Sequence, residues 1–341
     1  MNRFEVYTPD FSKRYEIAQP ISISITSRYN GIGKISIIMT ADDYNIKTIQ
    51  NGSLVLDKGT GETYIIVMYK IDTVNNRVTF NGYTSNSILN NRVVAQNNKI
   101  KSIADLYKMI TDNLRGLDYI NISDNLATEK IDSELFGGQL LDKIMLVLKR
   151  YNLGNRMIWN DNTKKLTFEI YKGQDLTQGL HSIIFSYERG TAQNLVLSDD
   201  VSMFKSTMYI SGQKTDDSRV IEVVGNDVMG KNRIEKWITE VPLQRLEQSE
   251  IDFKQSLKET AETQKAKYTE RKNFEADIDP SEFNKFYSLG DIVTCISTKF
   301  DVQFNKRITG IQYFLDSDGE KTSLLLGEPE INILEEMMLN A

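Results

Sequence analysis

Between Ile21 and Ile37 the chain alternates apolar and polar side chains with a period of two, and this pattern constrains the fold more than any other feature. Ile21-Ser22-Ile23-Ser24-Ile25-Thr26 and Lys34-Ile35-Ser36-Ile37 each place their isoleucines on one side of an extended strand. Tyr29-Asn30-Gly31-Ile32-Gly33 between them has turn composition. Such strands need a sheet with one buried face and one wet face. Further strands are predicted over 61–72 and 77–83, joined at Asn75-Asn76. Residues 1–97 are therefore expected to form an N-terminal β-barrel-like domain, as a small meander or open barrel.

The period then changes. Ser102 precedes a helical pattern that runs to about Leu114, ahead of Gly116. A second helix over 139–151 carries Leu140, Leu141, Ile144, Leu148 and Tyr151 on one apolar stripe. A hairpin over 155–159 and 165–171 follows, turning at Asp161-Asn162-Thr163. Residues 98–178 read as an inserted α/β subdomain. Strands resume in a β-rich segment over 179–242, at 182–187, 194–197, 204–211, 220–224 and 234–239. A long polar helix is predicted over 243–274, its narrow seam made of Leu246, Phe253, Leu257, Ala261 and Tyr268. That seam suits packing on the chain's own sheet or contact with another subunit. The last segment, 275–341, has strands at 292–298, 303–312 and 322–326. It ends in an amphipathic stretch with Ile331, Leu334, Met337 and Met338, predicted to dock on a partner or neighbouring domain. The expected class is α+β and mainly β: two small β-barrel-like domains, an inserted α/β subdomain and a long helix. Sheet edges left open in such a fold invite pairing with other chains.

Composition narrows the function. The 341 residues are 40% hydrophobic and 26% charged, enough apolar material for a real core. A net charge of -6, with Lys and Arg dispersed, argues against specific nucleic-acid binding, which needs clustered cations. No apolar run approaches the ~20 residues of a membrane-spanning helix. The opening Met1–Val6 has no basic stretch followed by an apolar block, so the chain is expected to stay in the compartment where it is made. Cys295 is the single cysteine and sits in an apolar β-rich run, as a small core residue.

The residues that carry chemistry are sparse. His181 is the only histidine, and no G-x-S-x-G elbow accompanies it. One cysteine and one histidine cannot build a zinc site. Gly31-Ile32-Gly33 lacks the third glycine of a dinucleotide loop, and Gly59-Thr60-Gly61 reads as a turn. The doublets Asp42-Asp43, Asp199-Asp200 and Asp216-Asp217 are the candidates for paired-carboxylate glycoside hydrolysis. Adjacent residues on a strand point to opposite faces, and Asp near turns serves local hydrogen bonds. Asp316-Ser317-Asp318-Gly319 resembles the start of a calcium loop but has Gly327 where the closing carboxylate belongs, so a hairpin turn is expected. No catalytic residue, cofactor or metal ligand is assigned, and the chain is expected not to be an enzyme.

Three stretches, taken in order across nearly the whole chain, carry a family likeness. The first is Phe4-Glu5-Val6-Tyr7-Thr8-Pro9-Asp10-Phe11 with Thr26-Ser27-Arg28-Tyr29-Asn30 and Gly33-Lys34-Ile35-Ser36-Ile37. The second is Phe185-Ser186-Tyr187-Glu188-Arg189-Gly190 with Asn194, Asp200, Ser202 and Phe204–Gly212. The third is Tyr287-Ser288-Leu289-Gly290-Asp291-Ile292-Val293 with Arg307-Ile308-Thr309-Gly310 and Leu326-Gly327. The chain resembles the tail hub proteins of bacteriophages infecting Gram-positive bacteria. The resemblance implies a structural baseplate-hub subunit in the virion tail, made in the host cytoplasm. It implies a homotrimer whose two barrel-like domains alternate around a ring, joining the tail tube to the tail tip. The partners implied are tail tube or distal tail ring proteins, tip, spike or other baseplate proteins, and a tape measure protein passing with DNA through a central lumen. A chain ending at Ala341 would be the hub core without the C-terminal modules of many relatives. Two other readings stay open: a distal tail ring or baseplate adaptor protein, and a carboxylate-based hydrolase of cell-wall glycan.

Overall fold

The computed structural model describes residues 3–124, 129–225, 228–238, 242–265, 268–269, 271–279 and 281–327. It contains two compact units, one made of Met1–Leu197 and Phe274–Pro329, the other containing Ser198–Asn273. The amphipathic stretch predicted beyond Glu330 lies outside the described residues. No described helix is long and apolar enough to cross a membrane.

The first unit opens with β1 (Phe4–Tyr7), β2 (Arg14–Glu16), β3 (Ser22–Arg28), β4 (Lys34–Thr40), α1 (Asp43–Thr48), β5 (Leu54–Asp57), β6 (Thr63–Asp72) and β7 (Arg77–Thr84). The period-two stretches become β3 and β4, paired antiparallel with Ile23 opposite Ile37 and Ile25 opposite Ile35. All four isoleucines are buried while the serines between them are more exposed. Each such side chain contributes about 1.5–3 kcal/mol by leaving water, which fixes both the face and the register.

The α/β block follows with β8 (Asn98–Ser102), α2 (Ile103–Asn113), β9 (Ile120–Ile122), β10 (Lys130–Leu135), α3 (Leu140–Arg150), β11 (Gly154–Asn160) and β12 (Lys165–Tyr171). Ser102 caps α2, its hydroxyl accepting from the Asp105 N–H. The buried faces of α2 and α3 share one core with Leu153, Met157, Leu166 and Phe168 of the β11–β12 hairpin. Two short-range strands complete the middle of the chain, β13 (Ile184–Phe185) and β14 (Asn194–Asp200). β13 keeps only two of the six residues predicted over 182–187, pairing parallel with a later strand.

The second unit contains β15 (Thr207–Gln213), β16 (Arg219–Gly225), β17 (Glu235–Ile238) and α4 (Glu250–Lys265). The predicted helix over 243–274 is much shorter, and for local reasons. The Ser249 hydroxyl accepts from the Asp252 N–H and starts the helix there, leaving Leu246 outside it and almost fully exposed. At the other end Phe274, Ala276 and Ile278 alternate with polar residues and form β18 (Arg271–Ile278). The seam itself faces inward: Phe253, Leu257 and Ala261 are buried with Met208, Ile210 and Ile238 of this unit's own three-stranded sheet. Contact with another subunit is therefore not what these three residues provide. The apolar stripe is narrow because the sheet it covers is only three strands wide.

Returning to the first unit, β18 is followed by β19 (Ile292–Ser297), β20 (Val302–Asp316) and β21 (Gly319–Leu326). They join the N-terminal strands in one thirteen-stranded sheet, ordered β14-β18-β21-β20-β3-β4-β7-β6-β5-β1-β2, with β19 on β20 and β13 on β19. β20 is its spine. Its first half pairs with β19, its second half with β3, and β21 runs along the other side. The barrel-like sheets do not close: the path has two ends, β14 and β2, and no pairing joins them among the described residues. The fold is mainly β with few helices, but the sheets stay open.

Candidate functional site

The first and third motif stretches, far apart in sequence, meet at one place, where β3 ends against β19, β20 and β21. The Tyr29 N–H donates to the Thr309 carbonyl, Gly290 N–H to Ile308, Ile308 N–H to Asp291, and Gly327 N–H to Arg307. The Arg307 guanidinium bonds the Gly290 carbonyl and lies 5.3 Å from the centre of the Tyr29 ring. Asp291 is buried and accepts from the N–H groups of Gln174 (2.7 Å) and Ser288 (2.7 Å).

Tyr29 ties the α/β block to this junction. Its hydroxyl donates toward the carbonyls of Asn152 (3.1 Å) and Tyr171 (3.2 Å) and accepts from the Gly173 N–H (3.2 Å). The ring is held between two glycines. A Cβ on Gly154 would stand 2.2 Å from Tyr29 Cε2, and one on Gly290 would stand 2.3 Å from the same atom. Gly290 also has φ of +98°, which side-chain-bearing residues rarely adopt. Burial raises the Tyr29 hydroxyl above its ordinary pKa, so it stays neutral as a donor across the physiological range.

The second motif is structural in the same way. The Glu188 carboxylate binds the Ser186 hydroxyl (2.9 Å), the Ser297 hydroxyl (3.0 Å) and the Lys299 N–H (3.2 Å), clamping the loop after β13 to the end of β19. Its own and the Lys299 backbone N–H groups, with these hydroxyls, hold its pKa down at about 2.

The chemistry-bearing residues singled out from sequence lie apart and are locally engaged. His181 is exposed in a turn. Cys295 is fully buried on β19, and burial pushes its thiol up to about 12. Asp42 caps α1 by accepting from the Asn45 N–H, and Asp43 pairs with Lys47 at 2.7 Å. Asp200 accepts from the Ser202 N–H, Asp216 from the Ser218 N–H, and Asp217 from the Gln213 side-chain amide. Asp316 accepts from the Asp318 N–H within the β20–β21 hairpin, as a turn residue does. Asp57 plays a similar part around Gly59, and forms a two-pronged pair with Arg3 at 2.7 and 2.8 Å. Among the described residues no three His, Cys, Asp or Glu side chains are grouped to hold a metal ion.

One group of the first unit escaped the sequence reading. Glu62, before β6, is pushed up to about 7 by burial, with Asp57 nearby adding to the rise and the Ser27 hydroxyl opposing it. Nothing in its local sequence distinguishes it, because the neighbours that bury it are distant in the chain. An open cleft of about 460 Å³ in the same unit is lined by Phe11, Ile65, Ile88 and Tyr119, with Asp10 and Lys164 among its polar groups. Both are already engaged, Asp10 with Thr8 and Ser12 and Lys164 with Asp161.

The whole described fold, from Arg3 to Gly327, is spanned by one family likeness: residues 3–328 match the family described as Siphovirus ReqiPepy6 Gp37-like protein. The chain belongs to this family. Solved structures agree with the assignment at the level of the fold. A tail protein of Neisseria meningitidis MC58 aligns with TM-score 0.59 and 14% identity, covering 95% of this chain and 96% of that one. The prophage tail protein gp18 of Listeria monocytogenes EGD-e aligns with TM-score 0.55 and 14% identity, over 99% and 98%. The 43 kDa tail protein of prophage MuSo2 from Shewanella oneidensis gives TM-score 0.57 and 12% identity, over 95% and 97%. Comparison with curated proteins gives no match. Family match and fold likeness thus cover the same span of the chain, and each of these three similar structures is a tail protein. The similar folds come from three different genera and lend no support to a restriction to Gram-positive hosts.

Proposed function

We propose that this Gp37-like protein is the hub subunit of a phage tail tip. Three copies form a ring that joins the tail tube, or a distal tail ring, to the tip, spike or other baseplate proteins. The ring surrounds the channel through which the tape measure protein and then DNA pass, and the chain performs no chemistry of its own. The observation that carries this reading is the open thirteen-stranded sheet, whose apolar layer runs out to edges that are unpaired among the described residues. An open sheet with apolar edges is a template for association with other chains. The motif residues support it, since they serve a rigid junction rather than a cleft. The net charge of -6 fits a wall that passing phosphates do not bind.

Light scattering coupled to size exclusion tests the reading on the purified full chain. A mass near 117 kDa, three times the 39.1 kDa chain, is expected. A sixfold mass would favour a distal ring or adaptor protein instead, and a monomer at all concentrations would refute the ring.

A further inference from the structure

The apolar layer of the large sheet extends beyond its buried core at both ends. On one side, Tyr69 and Ile71 of β6 lie opposite Phe80 and Val78 of β7, which lie opposite Ile37 and Met39 of β4. The inner four are fully buried, yet Tyr69 is 45% and Ile71 41% exposed. The same face continues through Ile23 of β3, then Leu315, Tyr313 and Ile311 along β20, to Leu324 of β21 and Ala276 of β18. At the far end Leu195 of β14 packs on this layer, and Leu197, two residues on and so on the same face, is 42% exposed.

Among the described residues, β14 and the outer half of β6 also lack a further neighbouring strand. β5 pairs with β6 only through Thr63–Ile65, so among the described residues the outer edge of β6 from Val67 to Asp72 is unpaired. β14 ends the sheet on its side. The other terminal strand, β2, is guarded: it has three residues and presents Arg14 and Glu16 to solvent. β6 carries Lys70 and Asp72 on this stretch, but Val67, Met68, Tyr69 and Ile71 are all exposed within the same run.

We propose that the free edge of β6 receives β14 of a second copy of this chain, so that one sheet and its apolar layer continue from copy to copy. The two edges lie on opposite sides of the β21-β20-β3-β4-β7 run of one sheet and carry apolar side chains on one face, which is what a head-to-tail contact requires. Such a contact joins two different patches and closes into a ring when the rotation permits. The inference rests on the ring reading above and names the surfaces that make the ring.

The test is cross-linking of the full chain carrying Ile71→Cys together with Leu197→Cys. The reagent is a short bis-maleimide, since neighbouring strands lie about 5 Å apart. Native Cys295 is buried and stays unmodified. Covalent dimers and trimers are expected in the double variant and in neither single variant, with the cross-linked peptides joining 71 to 197. Dimers of the Ile71→Cys variant alone would mean that two β6 edges meet symmetrically, which overturns the inference. Absence of covalent multimers from a protein that still has trimeric mass overturns it and leaves the trimer standing. Absence from a protein that is monomeric overturns both. Lys70→Cys with Val196→Cys, on exposed side chains of the other face, gives the same readout if the first pair lowers the melting temperature.

Discussion

Replacing Tyr29 by Phe removes one oxygen from the centre of the junction and keeps the ring between Gly154 and Gly290. The hydroxyl satisfies the Gly173 N–H and shares its proton between the carbonyls of Asn152 and Tyr171. Without it, the part-buried Gly173 N–H loses this acceptor and the carbonyls of Asn152 and Tyr171 lose this donor. A hydrogen bond contributes about 1 kcal/mol net, and more where the groups left behind are shielded from water, so the substitution should destabilise the first unit by roughly 1–2 kcal/mol. At about 2–4 °C per kcal/mol for a unit of this size, the melting temperature should fall by about 2–8 °C. Thermal unfolding followed by circular dichroism, with urea unfolding as a second measure, reads this directly. Because burial keeps the hydroxyl neutral, the loss should be the same at pH 6 and pH 8. A shift below about 1 °C would refute the claim that this hydroxyl ties the α/β block to the sheet.

Phe253→Ala and Leu257→Ala should each cost about 2–5 kcal/mol, because both side chains are fully buried against β15 of the second unit. Hydrogen exchange should show the loss in 207–265 and leave β3, β4 and β20 protected; loss of protection in β3 and β4 instead would contradict the assignment. Glu62 has a folded pKa of about 7, above its ordinary value, so the folded state binds the extra proton and this group's contribution weakens as pH rises through 7. Glu62→Gln should therefore raise the melting temperature relative to the parent at pH 8 and much less at pH 5, and a pH-independent difference would count against the raised pKa. Cys295, buried and with its thiol pushed up to about 12, should resist a thiol reagent in the native protein and react fully in denaturant.

Local pattern was a good guide wherever neighbours in sequence are also neighbours in the fold. The β3–β4 and β6–β7 pairs, the Ser102 cap, α3 and the β11–β12 hairpin all follow from period and turn chemistry. The same reasoning failed between residues 243 and 278. There a polar stretch with few apolar positions fitted a helical count, and the alternation of Phe274, Ala276 and Ile278 was absorbed into it. β5 was missed as well: Leu54-Val55-Leu56-Asp57 is short, and its strand character comes from pairing with β1 and β6.

What the sequence determined by itself is the class of protein. Alternating strands, a single histidine, a single cysteine and dispersed charge are properties of residues and their spacing, and the motif stretches carry the family. What only the tertiary structure decided is whether the sheets close, which face of α4 is buried and where the motif residues meet. Closure depends on whether β14 and β2, strands from distant parts of the chain, find each other, and no local pattern specifies that. The meeting of Tyr29 with Gly154, Gly290 and Arg307 likewise depends on strand order, since β20 brings residues almost three hundred positions apart into hydrogen-bonding register. The half-exposed Tyr69 and Ile71 read in sequence as ordinary strand residues, and only the end of β5 at the Thr63–Ile65 pairing reveals that they border an open edge.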